Sequence, residues 1–170
     1  MRFFSLLIVF ALALGQSSCF QARAKNPVVY KFEPGRTAML KDGMAYAPRK
    51  APAKVIAAIA AGNRLQGKPY KWGGGHAKHN DSGYDCSGTV SYVLREAGII
   101  KGSMPSKAYL NYGKRGEGDW ITIYSRNGHV FMTIAGLRLD TGGDGQRSGP
   151  KWKPWRRGAK GYIMRHPPGL

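Results

Sequence analysis

Cysteine, acidic side chains and long apolar runs are all scarce in this chain of 170 residues. Two cysteines, Cys19 and Cys86, cannot make a disulfide framework, so a small stapled scaffold is excluded and a hydrophobic core has to hold the fold. Nine Asp and Glu stand against 27 Lys and Arg, a formal net charge of +18. Such an excess directs attention to anionic partners and says nothing about fold. The longest apolar run, Phe3 to Leu14, reaches about 18 Å as a helix, short of the ~30 Å of a bilayer's hydrocarbon core, so a membrane span is not expected.

Apolar residues make up 42% of the chain and aromatics 11%, enough to bury a core, which argues against a disordered polycation, a collagen-like chain or a coiled coil. The 24 glycines imply many tight turns and close backbone approaches, as in a loop-rich α+β protein rather than a helical bundle. Met1-Arg2, the apolar run and Ala22-Arg23-Ala24 have the layout of a secretory signal peptide, residues 1–24, cleaved after about Ala24. The expected destination is the cell envelope, the periplasm or the medium. Cys19 is a weaker candidate for lipid attachment, because Gln16 stands where a lipobox wants a Leu-like residue. After cleavage Cys86 is the one cysteine left, and a lone thiol in an exported chain is a buried small hydrophobe, an intermolecular partner or a nucleophile.

Residues 25–53 carry Pro27, Pro34, Pro48 and Pro52 with one β-like stretch, Val28 to Phe32, and read as an extension or linker ahead of a domain spanning 54–170. An Ala-rich helix is predicted over 54–66, and a second from about Asp85 to Ala97, where Val90, Val93, Leu94 and Ala97 recur at helical spacing. From Trp120 the period changes to that of three short antiparallel strands: 120–124, His129 to Ile134, and Leu137 to Thr141, with one more at Tyr162-Ile163-Met164. Residues 142–158 read as a glycine-rich basic loop.

Cys86 falls in the first turn of the second helix, where about half a positive charge and unpaired N–H groups can stabilise a thiolate and receive an oxyanion. Of the four histidines, His129 begins an apolar strand directly after a turn, whereas His76 and His79 lie in a polar loop and His166 near the tail. His129 is therefore the candidate base. A core cysteine and a structural histidine are the competing readings, although Asp85, Ser87 and neighbouring glycines make a poor packing context for a buried thiol. His76-x-x-His79 lacks a third ligand at suitable spacing, so no metal and no cofactor are expected.

Gly67-x-Pro69-Tyr70-x-Trp72-Gly73-Gly74, then Tyr84-Asp85-Cys86-Ser87-Gly88, then Gly128-His129-Val130 resemble, in that order, the NlpC-type cysteine peptidases of bacterial peptidoglycan, over roughly residues 54–165. The resemblance implies a papain-like α+β domain with the nucleophile at a helix start packed on a small antiparallel sheet. It implies Cys86 as nucleophile, His129 as base, and Tyr70, Trp72, Asp85 and Ser87 lining the substrate site. Family members generally cut the bond from γ-D-glutamate to the diamino acid of stem peptides. This chain departs from the pattern at Gly118-Asp119-Trp120, where the family has a Pro-Gly-Asp-Leu strand entry. It departs again at the third polar residue, which the family places about twelve positions after the base, here Thr141.

Asp140 is the better chemical candidate for that third role, since a carboxylate accepts the imidazole N–H and stabilises the imidazolium. Strand parity decides between the two. A two-residue turn at Ala135-Gly136 sets Ile134 opposite Leu137 and places Asp140 on the face of His129, whereas a three-residue loop or a bulge gives the position to Thr141.

Between Gly145 and Leu170 there is no acid, and Arg147, Lys151, Lys153, Arg156, Arg157, Lys160 and Arg165 surround Trp152 and Trp155. For an exported chain this favours anionic envelope polymers over nucleic acid, with a plain soluble surface as the competing reading. Three functions stay open: a Cys-His-Asp endopeptidase of peptidoglycan stem peptides, a catalytically inactive cationic wall-binding module on the same fold, and a CHAP-like amidase cutting between sugar and peptide.

Overall fold

The computed structural model describes residue 23 and residues 27–142, 148–154 and 157–170. Near the N-terminus two three-residue strands, β1 (Met39–Lys41) and β2 (Met44–Tyr46), pair as an antiparallel hairpin. Helix α1 (Ala53–Arg64) follows, then α2 (Cys86–Glu96) and a 3-10 helix at Ser106–Asn111. The rest is strand: β3 (Lys114–Arg115), β4 (Ile121–Arg126), β5 (His129–Ile134), β6 (Leu137–Asp140), β7 (Lys151–Lys153) and β8 (Ile163–His166). These six form an antiparallel sheet in the order β3-β8-β4-β5-β6-β7. Helices packed on a small antiparallel sheet are the α+β papain-like arrangement. No helix among the described residues is long and apolar enough to cross a membrane.

The meander β4-β5-β6 is closed by two-residue turns, which place Arg126 opposite His129 and Ile134 opposite Leu137. Ala135 (φ 46°) and Gly136 (φ 77°) both adopt left-handed backbone, as a type I′ turn requires. Glycine does so freely, whereas Ala135 is held there by its neighbours: its N–H donates to Trp120 O at 2.7 Å and its carbonyl accepts from Ala38 N at 2.8 Å.

With that register the sheet has two distinct faces. Ile121, Ile123, Val130, Met132, Ile134, Leu137 and Leu139 lie on the inner face and join α1 and α2 in the main core. On the outer face Tyr124 and Phe131 stack at 4.7 Å and share a smaller core with Ala159 and Tyr162.

Three sequence expectations are corrected. Residues 27–53 are not a free linker. The stretch from Pro27 to Thr37 passes over the outer face, with Val28 packed against the smaller core and a cavity between Val29, Glu33 and Thr37 on one side and Thr122, Tyr124 and Thr133 on the other. Ala38 and Ala45 are fully buried, and Asn63 of α1 pairs with β2 like a strand, accepting from Ala45 N at 2.9 Å and donating to Ala45 O at 2.8 Å. The prolines that suggested a linker sit between contacts that only tertiary structure supplies. Second, residues 142–158 contain β7, which pairs with β6 through Leu139 and Trp152. Third, Trp152 is buried rather than a surface aromatic: its Nε1 donates to Asn63 Oδ1 at 2.8 Å, and its ring fills the space where a Cβ at Gly62 would lie. Arg147, Trp155 and Arg156 lie outside the described residues, as does the expected signal peptide apart from Arg23.

Candidate active site

The start of α2 is built by one carboxylate. Asp85 is its N-cap, and Oδ1 accepts from Gly88 N at 2.6 Å, from Ser87 Oγ at 3.0 Å and from the ring of His76 at 3.2 Å, while Oδ2 accepts from Gly73 N at 3.0 Å. The side chain thus staples the glycine-rich loop to the helix. The two segments approach so closely that a Cβ at Gly88 would fall 1.9 Å from Gly74 O, which explains a glycine within the cysteine motif on steric grounds. The loop beyond is fixed by Asp81, which takes Lys71 Nζ at 2.6 Å and Gly75 N at 3.2 Å and is held well below the usual carboxylate range, chiefly by Lys71. Tyr84 OH donates to His79 O at 2.9 Å and accepts from Asp81 N at 3.0 Å.

Cys86 stands half-buried in the first helical turn, with a free thiol. The amides of Cys86 and Ser87, as the first two of the helix, have no intrahelical acceptor. Facing them is His129, whose Nε2 lies 3.0 Å from Asp140 Oδ1. Cys86 acts on the same ring and favours its protonated form, and with Nε2 turned to Asp140 the other ring nitrogen, Nδ1, is left for a second partner. Burial pulls this imidazole down and is the largest single influence. The hydrogen bonds and charges of Asp140 and Cys86 together outweigh it and push the ring up to about 9, so His129 is an imidazolium at neutral pH. The Asp140 side chain is fully buried.

Thus the structure brings Cys86, His129 and Asp140 together, and the imidazole is bonded to Asp140 and not to Thr141, whose buried hydroxyl has no partner among the described residues. Ser87 and Asp85 flank Cys86, buried and bonded to each other. Tyr70 is half-buried and bridges to Tyr84, and Trp72 projects into solvent at 84% exposure. His76 was read only as a loop histidine and possible metal ligand. Instead its Nε2 lies 3.1 Å from Ser87 Oγ as well as against Asp85, while His79 turns away to Glu96. No local signal in the sequence would have paired His76 with the cysteine motif. Among the described residues no group of three or more His, Cys, Asp or Glu is placed to hold a metal ion.

Comparisons with known proteins fall on the same part of the chain. Residues 67–139 match the NlpC/P60 family model. The chain is also similar to the peptidoglycan DL-endopeptidase CwlO of Bacillus licheniformis, 33% identical over 92 residues that cover 47% of this chain and 20% of the relative. It therefore spans about a fifth of that relative's length. With the cysteine at the start of α2, the histidine at the start of β5 and the glycine-rich loop packed on the helix start, the stretch from Gly67 to Leu139 is similar to an NlpC/P60 domain.

Proposed function

We propose that this chain is an exported cysteine endopeptidase that cuts the stem peptides of peptidoglycan, at the bond from γ-D-glutamate to the diamino acid. The observation that carries the reading is the line from Cys86 through His129 to Asp140 within a stretch similar to an NlpC/P60 domain. The Cys86 sulfur attacks the scissile carbonyl carbon, and the helix-start amides receive the oxyanion. As the C–N bond breaks, the proton on His129 passes to the leaving amine and a thioester remains. Water then attacks the thioester, giving its proton to His129, and the C–S bond breaks. Asp140 holds the ring in one orientation and balances its charge throughout. Tyr70, Trp72, Ser87 and Asp85 border the cleft beside Cys86. Asp85 acts on substrate mainly through the groups it holds, since four internal donors already occupy it. The basic surface draws the enzyme to anionic envelope polymers.

Digestion of purified peptidoglycan followed by mass spectrometry tests the reading. The expected products are fragments ending in γ-D-glutamate and fragments beginning with the diamino acid, absent with Cys86→Ala. Release of intact stem peptides from muramic acid would make the chain an amidase. Binding to sacculi without any product would make it a wall-binding module.

A further inference from the structure

Asp140 has two sides. Its Oδ1 meets His129, and its Oδ2 faces a second cation, Arg157, whose Nε is 3.5 Å away, with Arg138 Nε at 3.8 Å. Arg157 is held there from several directions. Its guanidinium carbon lies 5.3 Å from the centre of the Phe131 ring and 5.7 Å from that of Tyr162, and Nη2 donates to Tyr162 OH at 2.7 Å. Its backbone is tied to the N-terminal stretch by reciprocal bonds, Val28 N to Arg157 O at 2.8 Å and Arg157 N to Val28 O at 2.9 Å. Contacts therefore run without a break from Val28 to Arg157, to Asp140 and to the imidazole.

We propose that Arg157, clamped by the Pro27–Thr37 strap through its bridge to Val28, is a positioning residue that acts on His129 through Asp140, as the second cation on the carboxylate that the imidazole shares. The strap thereby becomes part of the catalytic apparatus. This rests on the Cys86–His129–Asp140 reading above. At 3.5 Å Arg157 Nε makes no hydrogen bond with Asp140 Oδ2, so it acts on the carboxylate through its charge. Arg157 and the His129 imidazolium also share one negative charge, so each lowers what the carboxylate does for the other. The other groups facing the pair are Cys86 from α2, Arg126 from β4, Arg138 beside the acid, Lys151 across the ladder and Tyr162.

The test is a titration of His129 by NMR of 15N-histidine in the Cys86→Ala chain, which needs no turnover. Removing the cation with Arg157→Gln is expected to raise the His129 midpoint by about one pH unit, and Arg157→Lys to restore most of it. Val28→Pro, which deletes the N–H that donates to Arg157 O, moves the midpoint the same way by less. A merely structural arginine would lower stability and leave the midpoint where it was. An unmoved or lowered midpoint in Arg157→Gln with native His76, His79 and His166 signals overturns the proposal. Should that variant fail to fold, an unmoved or lowered midpoint in Val28→Pro overturns it instead. Both failures leave the proposed peptidase standing, whereas hydrolysis by Cys86→Ala would remove the peptidase reading itself.

Discussion

Strands β4 to β6 present two faces made of different material. The inner face is apolar except at Ser125, whose hydroxyl donates to Ser106 O, and is covered by α1 and α2. Its stabilisation follows buried area, roughly 25 cal/mol per Å², and depends little on which aliphatic side chain supplies it. The outer face carries Thr122, Tyr124, His129, Phe131, Thr133, Arg138 and Asp140, and its cover comes from the two ends of the chain, Val28 on one side and Arg157 to Tyr162 on the other. There the contacts are few, directional and charged, and burial makes each of them count for more. Cys86 lies where the two regions meet: its helix belongs to the inner side and its histidine to the outer. One region holds the fold and the other sets the chemistry, so damage to each should show in a different measurement.

The largest expected effect comes from severing the junction. Cys86→Ala should abolish wall hydrolysis, a loss of at least ~10⁴-fold, with the urea midpoint nearly unchanged, because a half-buried first-turn thiol contributes little packing. Wild-type turnover in that variant would sink the assignment. Next, Asp140→Asn should lower kcat/KM by about 10²- to 10⁴-fold. It should also move the high-pH fall of activity, expected near 9 in the native chain, to lower pH, since the imidazolium loses its balancing charge. A pH–rate profile that keeps its upper limb in place would reject the role given to Asp140.

The inner face gives the opposite signature. Met132→Ala should cost about 3 kcal/mol in chemical denaturation while kcat per folded molecule stays within about twofold. A change in the pH profile there would show that the two regions are less separate than their contacts indicate. The smallest effect is pH-dependent stability. The His129 ring is raised from 6.5 to about 9 by folding, so its contribution is fully present below pH 6.5 and is lost as pH climbs toward 9. Denaturation midpoints should therefore decline over that window, and Asp140→Asn should flatten the decline.

The same contrast governs how much was legible in the sequence. Inner-face strands, both helices and the Cys86 helix start are written in local periodicity, and their bounds shift by only one or two residues: α1 is Ala53–Arg64 rather than 54–66, and α2 is Cys86–Glu96 with Asp85 and Ala97 as its caps. The proximity of His129 to Asp140 was accessible because a two-residue turn leaves one parity. What escaped was non-local. The strap looked like a linker because its prolines are local and its partners, Arg157 and Ala135, are more than ninety residues away. Strand β7 is three residues long with lysines at both ends, and Lys153 is buried, its Nζ donating to Gly142 O at 2.9 Å, which no alternation rule anticipates. His76 reaches Asp85 and Ser87 only because the glycine-rich loop folds back on the helix start.

The turn at Ala135–Gly136 carries a consequence for descent. Because its length sets how far apart base and acid stand along the chain, the turn and that spacing behave as one heritable character. A lineage that gains a single residue within the turn keeps the strand pairing, so the same acid stays beside the imidazole while its spacing from the base grows from eleven to twelve. Among descendants of a common ancestor, the spacing between base and third residue should therefore change together with turn length, and substitution alone should move the acid by even numbers of positions.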